Sequence, residues 1–280
     1  MLPLNKKHSL LDPAIYEQEV SRFLRDFHFE GETSSLEHIR AIAQYYARLP
    51  YENVSKILKH AQHTDSTLFR LPDEVLDDHF TWHAGGTCFS LSYMLLGIYR
   101  ILGYETQPLI CNLNWGQNNH SALSITFSGS NYLVDPGYMI FKPLLLREQD
   151  VQSRISADTG LSLRFDTDSE TYALYTYRNQ QFVRRYQFRA EPVDLNTFAE
   201  HWRSSFELPG MNDITLTQVS GYEMLFIQGD FVKFTSPEEI KKFRDNDLTE
   251  KLILNRFGIP LEKVEDARYI LSQRQEANES

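Results

Sequence analysis

Gly85-Gly86-Thr87-Cys88 opens the stretch that decides the fold: two glycines deliver a cysteine to the first turn of an apolar segment running from Cys88 to Leu102. A helix start offers unpaired backbone N–H groups and the positive end of the helix dipole, and both favour thiolate over thiol. The pattern predicts a helix ending near Gly103. It is apolar on most faces and therefore central and buried, a rigid mount for Cys88. A lone cysteine is more often a small packed hydrophobe than a nucleophile. Here His120 and Asp135 follow, the types needed to complete a Cys-His-Asp relay.

Upstream the pattern is helical. Asp12-Pro13 reads as an N-cap followed by proline at the first helical position, and Val20, Phe23, Leu24 and Phe27 recur at helical spacing up to an end near Gly31. Ser34 and Glu37 read as a capping box for a second helix. Its apolar face is Leu36, Ile39, Ala43, Tyr46 and Ala47, and it stops before Pro50.

Downstream, from about Thr106, the pattern changes to strands. Leu123, Ile125 and Phe127 alternate with polar residues, Ser128-Gly129-Ser130-Asn131 turns, and Tyr132-Leu133-Val134 returns, a hairpin carrying both His120 and Asp135. A register closed by that four-residue turn sets position 120 opposite position 139. This is on the same face as Asp135 but about 13 Å further along, at about 3.3 Å per residue, so contact requires a bulge, a bend or another register. A second hairpin is expected at Tyr172–Tyr177 and Phe182–Phe188 around Arg178-Asn179-Gln180-Gln181, with further strands at Ile214–Val219, Met224–Ile227 and Phe231–Phe234. The middle of the chain reads as a barrel or curved antiparallel sheet. Helices return at Ser236-Pro237-Glu238-Glu239, read as a helix start, and from Leu248 to Phe257 with a stop at Gly258; Gln273 to Ser280 reads as a frayed tail.

The 280 residues are 41% hydrophobic, enough for a substantial core, and no segment has the length and apolarity of a membrane span. Met1-Leu2-Pro3-Leu4-Asn5-Lys6-Lys7 lacks the ordered regions of a signal peptide, and two cysteines make no disulfide framework. The protein is therefore expected in the cytoplasm with Cys88 and Cys111 reduced. A formal charge of −10 argues against nucleic-acid and anionic-membrane partners. Any phosphate-bearing ligand needs a local basic site, for which Arg184-Arg185 and Lys241-Lys242 are short candidates, though such pairs are usually solvated surface. No Cys or His spacing suits a structural zinc site, so no metal is expected. His28, His38, His60 and His63 have no partner that the sequence names.

In these motifs, the chain resembles the arylamine N-acetyltransferase family over nearly its whole length, as a divergent member of bacterial type. Arg48-Leu49-Pro50-Tyr51-Glu52-Asn53-Val54 is similar to the family's Pro-Phe-Glu-Asn motif, and Gly85-Gly86-Thr87-Cys88-Phe89 to its nucleophile loop. Asn119-His120 followed by Tyr132-Leu133-Val134-Asp135-Pro136-Gly137-Tyr138 is similar to its histidine strand and aspartate turn, at the usual interval of 15.

The resemblance implies an α+β fold with a cysteine-protease-like Cys-His-Asp core. A helical bundle (1–104) would carry Cys88, an antiparallel β-barrel (105–210) would carry His120 and Asp135, and an α/β lid (211–280) would follow. It further implies ping-pong transfer of an acetyl group from acetyl-coenzyme A through a Cys88 thioester to an arylamine, arylhydroxylamine or hydrazine, by a monomer or homodimer without metal. Catalytic residues would be Cys88, His120 and Asp135, with Glu52, Gly85, Gly86 and Gly137 as scaffold. Tyr51, Phe89, Tyr138 and Phe141 are expected to wall an apolar acceptor slot, although aromatic residues commonly serve only to fill cores. A loop around Ser204 to Met211 corresponds loosely to the family segment lining the cleft. No phosphate-binding glycine motif is present, so coenzyme A phosphates are expected to meet backbone amides or scattered basic side chains.

Departures from the family pattern are local. Ala84 stands where the family has an arginine, with His83 beside it, and Ser90 and Ser92 replace Glu and Asn after the nucleophile. Pro136 stands where the family has a small or branched apolar residue, and Met139 replaces a glycine. Glu52 then needs a new partner, expected to be His83 or a local backbone donor. Two rivals remain: an amide synthase of the same fold fed by a carrier-bound acyl chain, and a hydrolytic or non-catalytic binding relative.

Overall fold

The computed structural model describes residues 12–62, 68–154 and 159–279; the opening Met1 to Lys7 and His63 lie outside the described residues. A 3-10 turn, Pro13–Tyr16, leads into α1 (Glu17–Phe23), followed by α2 (Leu36–Tyr46), the two-residue strand β1 (Tyr51–Glu52), α3 (Val54–Gln62), α4 (Pro72–Trp82) and α5 (Cys88–Ile101). In α5 every residue from Cys88 to Tyr99 is buried, as an all-round apolar helix requires.

α1 stops at Phe23, well before Gly31, because the chain bends there to set Phe27 and Phe29 against the His38 ring, at 5.9 and 4.9 Å. The cap of α2 is Ser35 rather than Ser34: its Oγ accepts from the His38 N–H at 3.0 Å and donates to the Glu32 carbonyl at 2.7 Å, so no Ser34–Glu37 box forms.

Two antiparallel sheets follow. The larger has eight strands: β2 (Glu105–Leu113), β3 (His120–Phe127), β4 (Ser130–Asp135), β5 (Ile140–Leu145), β6 (Val151–Arg154), β7 (Thr159–Asp166), β8 (Thr171–Arg178) and β9 (Gln181–Phe188). They lie in the barrel-like order β5-β4-β3-β2-β9-β8-β7-β6. After α6 (Leu195–Ser204), the strands β10 (Thr215–Ser220), β11 (Glu223–Gln228), β12 (Phe231–Thr235) and β13 (Ile240–Arg244) extend β1 into a five-stranded sheet.

The β3–β4 turn is two residues, Ser128-Gly129, both at positive φ, so Phe127 faces Ser130 and Leu123 faces Val134. Each β3 residue therefore meets a partner two positions earlier than the four-residue turn would give, and His120 moves toward Asp135 by about 7 Å. The β8–β9 turn is of the same kind, Asn179-Gln180.

Ser236-Pro237-Glu238-Glu239 does not start a helix. Ser236 Oγ does accept the Glu238 and Glu239 N–H groups, cap-like, but the next residues Ile240–Arg244 pair with β12, and the sheet wins. Helix resumes in α7 (Asn246–Leu252) and a π turn, Ile253–Phe257, stopped by Gly258 at φ 74°. The expected tail is instead the end of α8 (Leu261–Glu279), which Leu271 anchors in the core and Arg274 ties to His60 at 2.8 Å.

Three apolar clusters result. One joins the helices to β3–β5, one fills the large sheet, and one gathers Val54, Ile57, Trp82 and Ala84 with the C-terminal sheet and α8. Asn53, 1% exposed, stitches this last boundary. Its amide donates to the carbonyls of Gly210 (2.9 Å) and Asp213 (2.7 Å) and accepts from the Thr215 N–H (2.8 Å). Asn53→Ala strands all three groups and should cost about 3 kcal/mol in urea unfolding.

Candidate active site

Cys88 is the first residue of α5, after Thr87 in extended backbone, so the first-turn N–H groups surround its base. Three glycines allow the approach of its neighbours. A Cβ on Gly85 would fall 1.9 Å from the Pro50 carbonyl oxygen, and one on Gly86 would fall 2.3 Å from Ser90 Oγ. The Gly86 N–H donates to the Pro50 carbonyl at 3.3 Å while the Glu52 N–H donates to the Gly86 carbonyl at 3.0 Å, so β1 runs beside the loop that leads into Cys88. A Cβ on Gly137 would meet Cys88 Cβ at 2.5 Å and His120 Cε1 at 3.0 Å. The absent side chain there is what lets the thiol and the imidazole share one space.

His120 Nε2 lies 2.7 Å from Asp135 Oδ2, and both residues are buried. The other Asp135 oxygen accepts the Tyr138 N–H at 2.8 Å. This fixes the carboxylate, which fixes the ring and leaves Nδ1 for the thiol. The replaced family positions hold the frame by other means. Ser90 Oγ donates to the Thr87 carbonyl, and Ser92 Oγ to the carbonyl of Ser121, next to His120.

Electrostatics follow the geometry. Burial pushes the Cys88 thiol up, but the hydrogen bond and charge of His120, with the Lys56 ammonium, outweigh it and leave the thiol below its ordinary value of 9.0. Burial works against the His120 imidazolium, yet Asp135 and Cys88 together raise it from 6.5 to about 10. Both shifts favour the thiolate–imidazolium pair across neutral pH. Cys111, the cross-strand partner of His120, is pushed up by burial and then by the neighbouring Asp135 and Cys88 charges, and stays a packed thiol.

Of the four aromatic residues expected to line a slot, the structure separates two from two. Tyr51 and Tyr138 are half-buried beside the triad, the Tyr138 ring 5.8 Å from that of His120. Phe89 packs at 5.3 Å against Phe198 in the core, and Phe141 is 9% exposed in the same cluster. Among the described residues, no group of three or more His, Cys, Asp or Glu side chains is placed to hold a metal ion.

Two residues at the site escaped the sequence reading. Arg70, not His83, is the cation beside Glu52. It is 2% exposed, and its Nη1 donates to the Gly85 carbonyl at 2.7 Å and lies 3.7 Å from Glu52 Oε1. Nη2 meets Asp78 at 2.6 Å. The expected backbone donor exists as well, the Ser55 N–H at 2.9 Å, aided by the Ser55 hydroxyl. His83 instead caps α4 in left-handed backbone at φ 61°.

The second is Lys56, 5% exposed on α3. Its Nζ donates to the Ser205 carbonyl (2.8 Å) and hydroxyl (2.7 Å) and sits 4.3 Å over the Phe206 ring. Burial lowers it from 10.5 to about 7 against the opposing pull of Cys88 and Glu207. A buried lysine three residues beyond a motif asparagine carries no pattern of its own.

Known proteins share this architecture. A family model described as N-acetyltransferase matches residues 35–266. Arylamine N-acetyltransferase 1 of Felis catus is 25% identical over 186 residues, 61% of this chain and 68% of that protein. The arylamine N-acetyltransferase of Mycobacterium abscessus superposes with a TM-score of 0.75 at 15% identity, covering 93% of this chain and 95% of that one. The Mycobacterium marinum enzyme in complex with CoA gives 0.72 at 19%, covering 91% and 97%.

Arg70→Met takes the donor from the Gly85 carbonyl and the only cation beside Glu52 among the described residues, leaving a buried carboxylate with the Ser55 donors alone, and should cost about 3–5 kcal/mol in denaturant unfolding. Arg70→Lys should restore little, because a point charge cannot serve Gly85, Asp78 and Glu52 together. Iodoacetamide alkylation of Cys88 should stay fast well below pH 9, since the lowered thiol and raised imidazole keep the ion pair until acid protonates the thiolate. Lys56→Met should move that midpoint upward.

Proposed function

The chain belongs to the N-acetyltransferase family typified by the arylamine N-acetyltransferases and is an acyltransferase, and from that premise we propose that it carries acetyl from acetyl-coenzyme A, through a thioester on Cys88, to the nitrogen of an arylamine, arylhydroxylamine or hydrazine. The observation that carries this reading is the 2.7 Å contact between His120 and Asp135 with Cys88 packed against the same imidazole across Gly137.

The Cys88 thiolate attacks the thioester carbonyl carbon, and the tetrahedral adduct collapses with loss of coenzyme A, whose sulfur takes the proton from the His120 imidazolium. The acceptor nitrogen then attacks the Cys88 thioester. His120 removes the nitrogen's proton as the second adduct expels the Cys88 thiolate, so the enzyme ends as it began. Asp135 holds the ring and balances its charge throughout. Arylamines suit this scheme because their low basicity leaves the nitrogen unprotonated near neutral pH. The acceptor enters against Tyr51 and Tyr138, the aromatic pair left half-buried at the triad. That a solved relative holds CoA supports coenzyme A as the donor's carrier. The Cys88 and Cys111 thiols are both free, which suits a reducing compartment such as the cytoplasm.

Intact mass spectrometry after mixing with acetyl-coenzyme A should find one acetyl adduct, absent in Cys88→Ala and discharged by adding an arylamine or hydrazine. No adduct on the folded protein would overturn the donor assignment and favour a carrier-bound acyl chain. An adduct that hydrolyses at the same rate with and without amine would favour a hydrolase.

A further inference from the structure

Lys56 is the buried charge at the site whose proton the Cys88-His120-Asp135 chemistry does not use. A charged Nζ carries three protons. It donates to the Ser205 carbonyl (2.8 Å) and hydroxyl (2.7 Å), and the Phe206 ring, part of the same apolar cluster as Cys88 and Phe89, lies 4.3 Å away. Among the described residues, no carboxylate lies within ion-pair distance of it. Glu207, on the same turn as Ser205, faces His60 at 3.5 Å with its side chain 80% exposed. The charged groups around Lys56 are few. Cys88 faces it from the start of α5, Glu207 from the turn, and His60 from one turn further along α3, with Arg274 of α8 bound to His60 at 2.8 Å.

An ammonium this far from water keeps its proton only while an anion stands near. Burial draws Lys56 down from 10.5 to about 7, and of the two anions that oppose it the Cys88 thiolate acts more strongly than Glu207. In return Lys56, after His120, is a cation that favours the thiolate. Acylation turns that thiolate into a neutral thioester. What remains facing Lys56 is the exposed Glu207, which His60 already engages.

We infer that Lys56 is a proton store coupled to Cys88, charged while the cysteine is a thiolate and discharged to solvent when the cysteine is acylated. The inference rests on the proposed Cys88 thioester. On acylation the triad's own proton balance is zero: the Cys88 sulfur bonds to the acyl carbon, the bond from that carbon to the coenzyme A sulfur breaks, and that sulfur leaves with the His120 proton. A proton that reaches the medium in this step therefore comes from another group. In the second half-reaction the acceptor nitrogen's proton goes to His120, the thiolate returns, and Lys56 recovers a proton from solvent, so the full cycle releases none. The acyl-enzyme binds fewer protons than the thiolate form. It is favoured as pH rises toward about 7 and gains nothing further above it.

The test mixes the full chain with acetyl-coenzyme A, without acceptor, in weak buffer near neutral pH with an indicator dye, for wild type, Lys56→Met and Lys56→Arg. Wild type should release roughly a third to a half of a proton per Cys88 acylated, because a group titrating near neutrality starts about half charged. Both variants should release none, since methionine has no proton to give and arginine keeps its own. Lys56→Arg retains a cation beside Cys88, so its alkylation midpoint should stay closer to wild type than that of Lys56→Met, which separates loss of the store from loss of the charge. Equal release by all three proteins overturns the store and leaves Lys56 as a tie between α3 and the Ser205 turn, a role that moves stability and not proton balance. Iodoacetamide removes the thiolate without any acyl donor and gives a second arm. There His120 contributes alike in all three proteins, and wild type should release several tenths of a proton more than either variant. If acetyl-coenzyme A leaves wild-type Cys88 unmodified, the donor assignment has failed, and the alkylation difference alone decides for or against the store.

Discussion

The approach of the Gly85-Gly86-Thr87-Cys88 loop to β1 is the constraint on which the rest depends. Gly85 lies so close to the Pro50 carbonyl that no side chain fits between them, and Gly86 exchanges hydrogen bonds with Pro50 and Glu52. That contact fixes where α5 begins, and so where Cys88 stands relative to the β3–β4 hairpin. On its other edge β1 pairs with β10, Tyr51 opposite Thr217 and Glu52 opposite Leu216. A two-residue strand thus joins the Cys88 loop to the C-terminal sheet, and Arg70 holds it through Glu52 and the Gly85 carbonyl.

The buried charges form one system. Glu52 with Arg70, Asp135 with His120, and Lys56 beside Cys88 are all removed from water within one region of the fold. Buried ions are poor contributors to stability unless each is matched, and here the matching is uneven. Arg70 has a buried Nε without a hydrogen-bond partner, and Lys56 has carbonyl and hydroxyl oxygens but no buried carboxylate against it. This uneven matching is concentrated around Cys88.

Local patterns were legible where one element decided its own state. The apolar run after Cys88, the alternation around Leu123–Phe127 and the second hairpin all read correctly from period alone. Ser35 displaced Ser34 because two adjacent serines offer the same cap, and only packing of His38 between Phe27 and Phe29 chooses. Ser236-Pro237-Glu238-Glu239 carries a true helix-start chemistry, spent on a turn because β12 offers Ile240–Arg244 a ladder. The His120–Asp135 contact turned on whether Ser128-Gly129 closes as two residues, a matter of positive φ at a serine. Arg70 was invisible for another reason. It reaches Glu52 across 18 positions, from a segment with no motif, replacing a family arginine that would have stood next to Gly85. The order of His120 and Asp135 along the chain is itself a pattern; cationic supports arriving from elsewhere have none.

Chain order gives the Asn53 junction a temporal meaning. Cys88, His120 and Asp135 have all left the ribosome long before Gly210, Asp213 and Thr215, the groups that Asn53 holds. Until then β1 has one bare edge, and Val54, Ile57, Trp82 and Ala84 lack the C-terminal side chains that cover them. During synthesis the thiol, histidine and aspartate exist together before their platform is closed. The last quarter of the chain is therefore the part whose arrival commits Cys88 to its final surroundings.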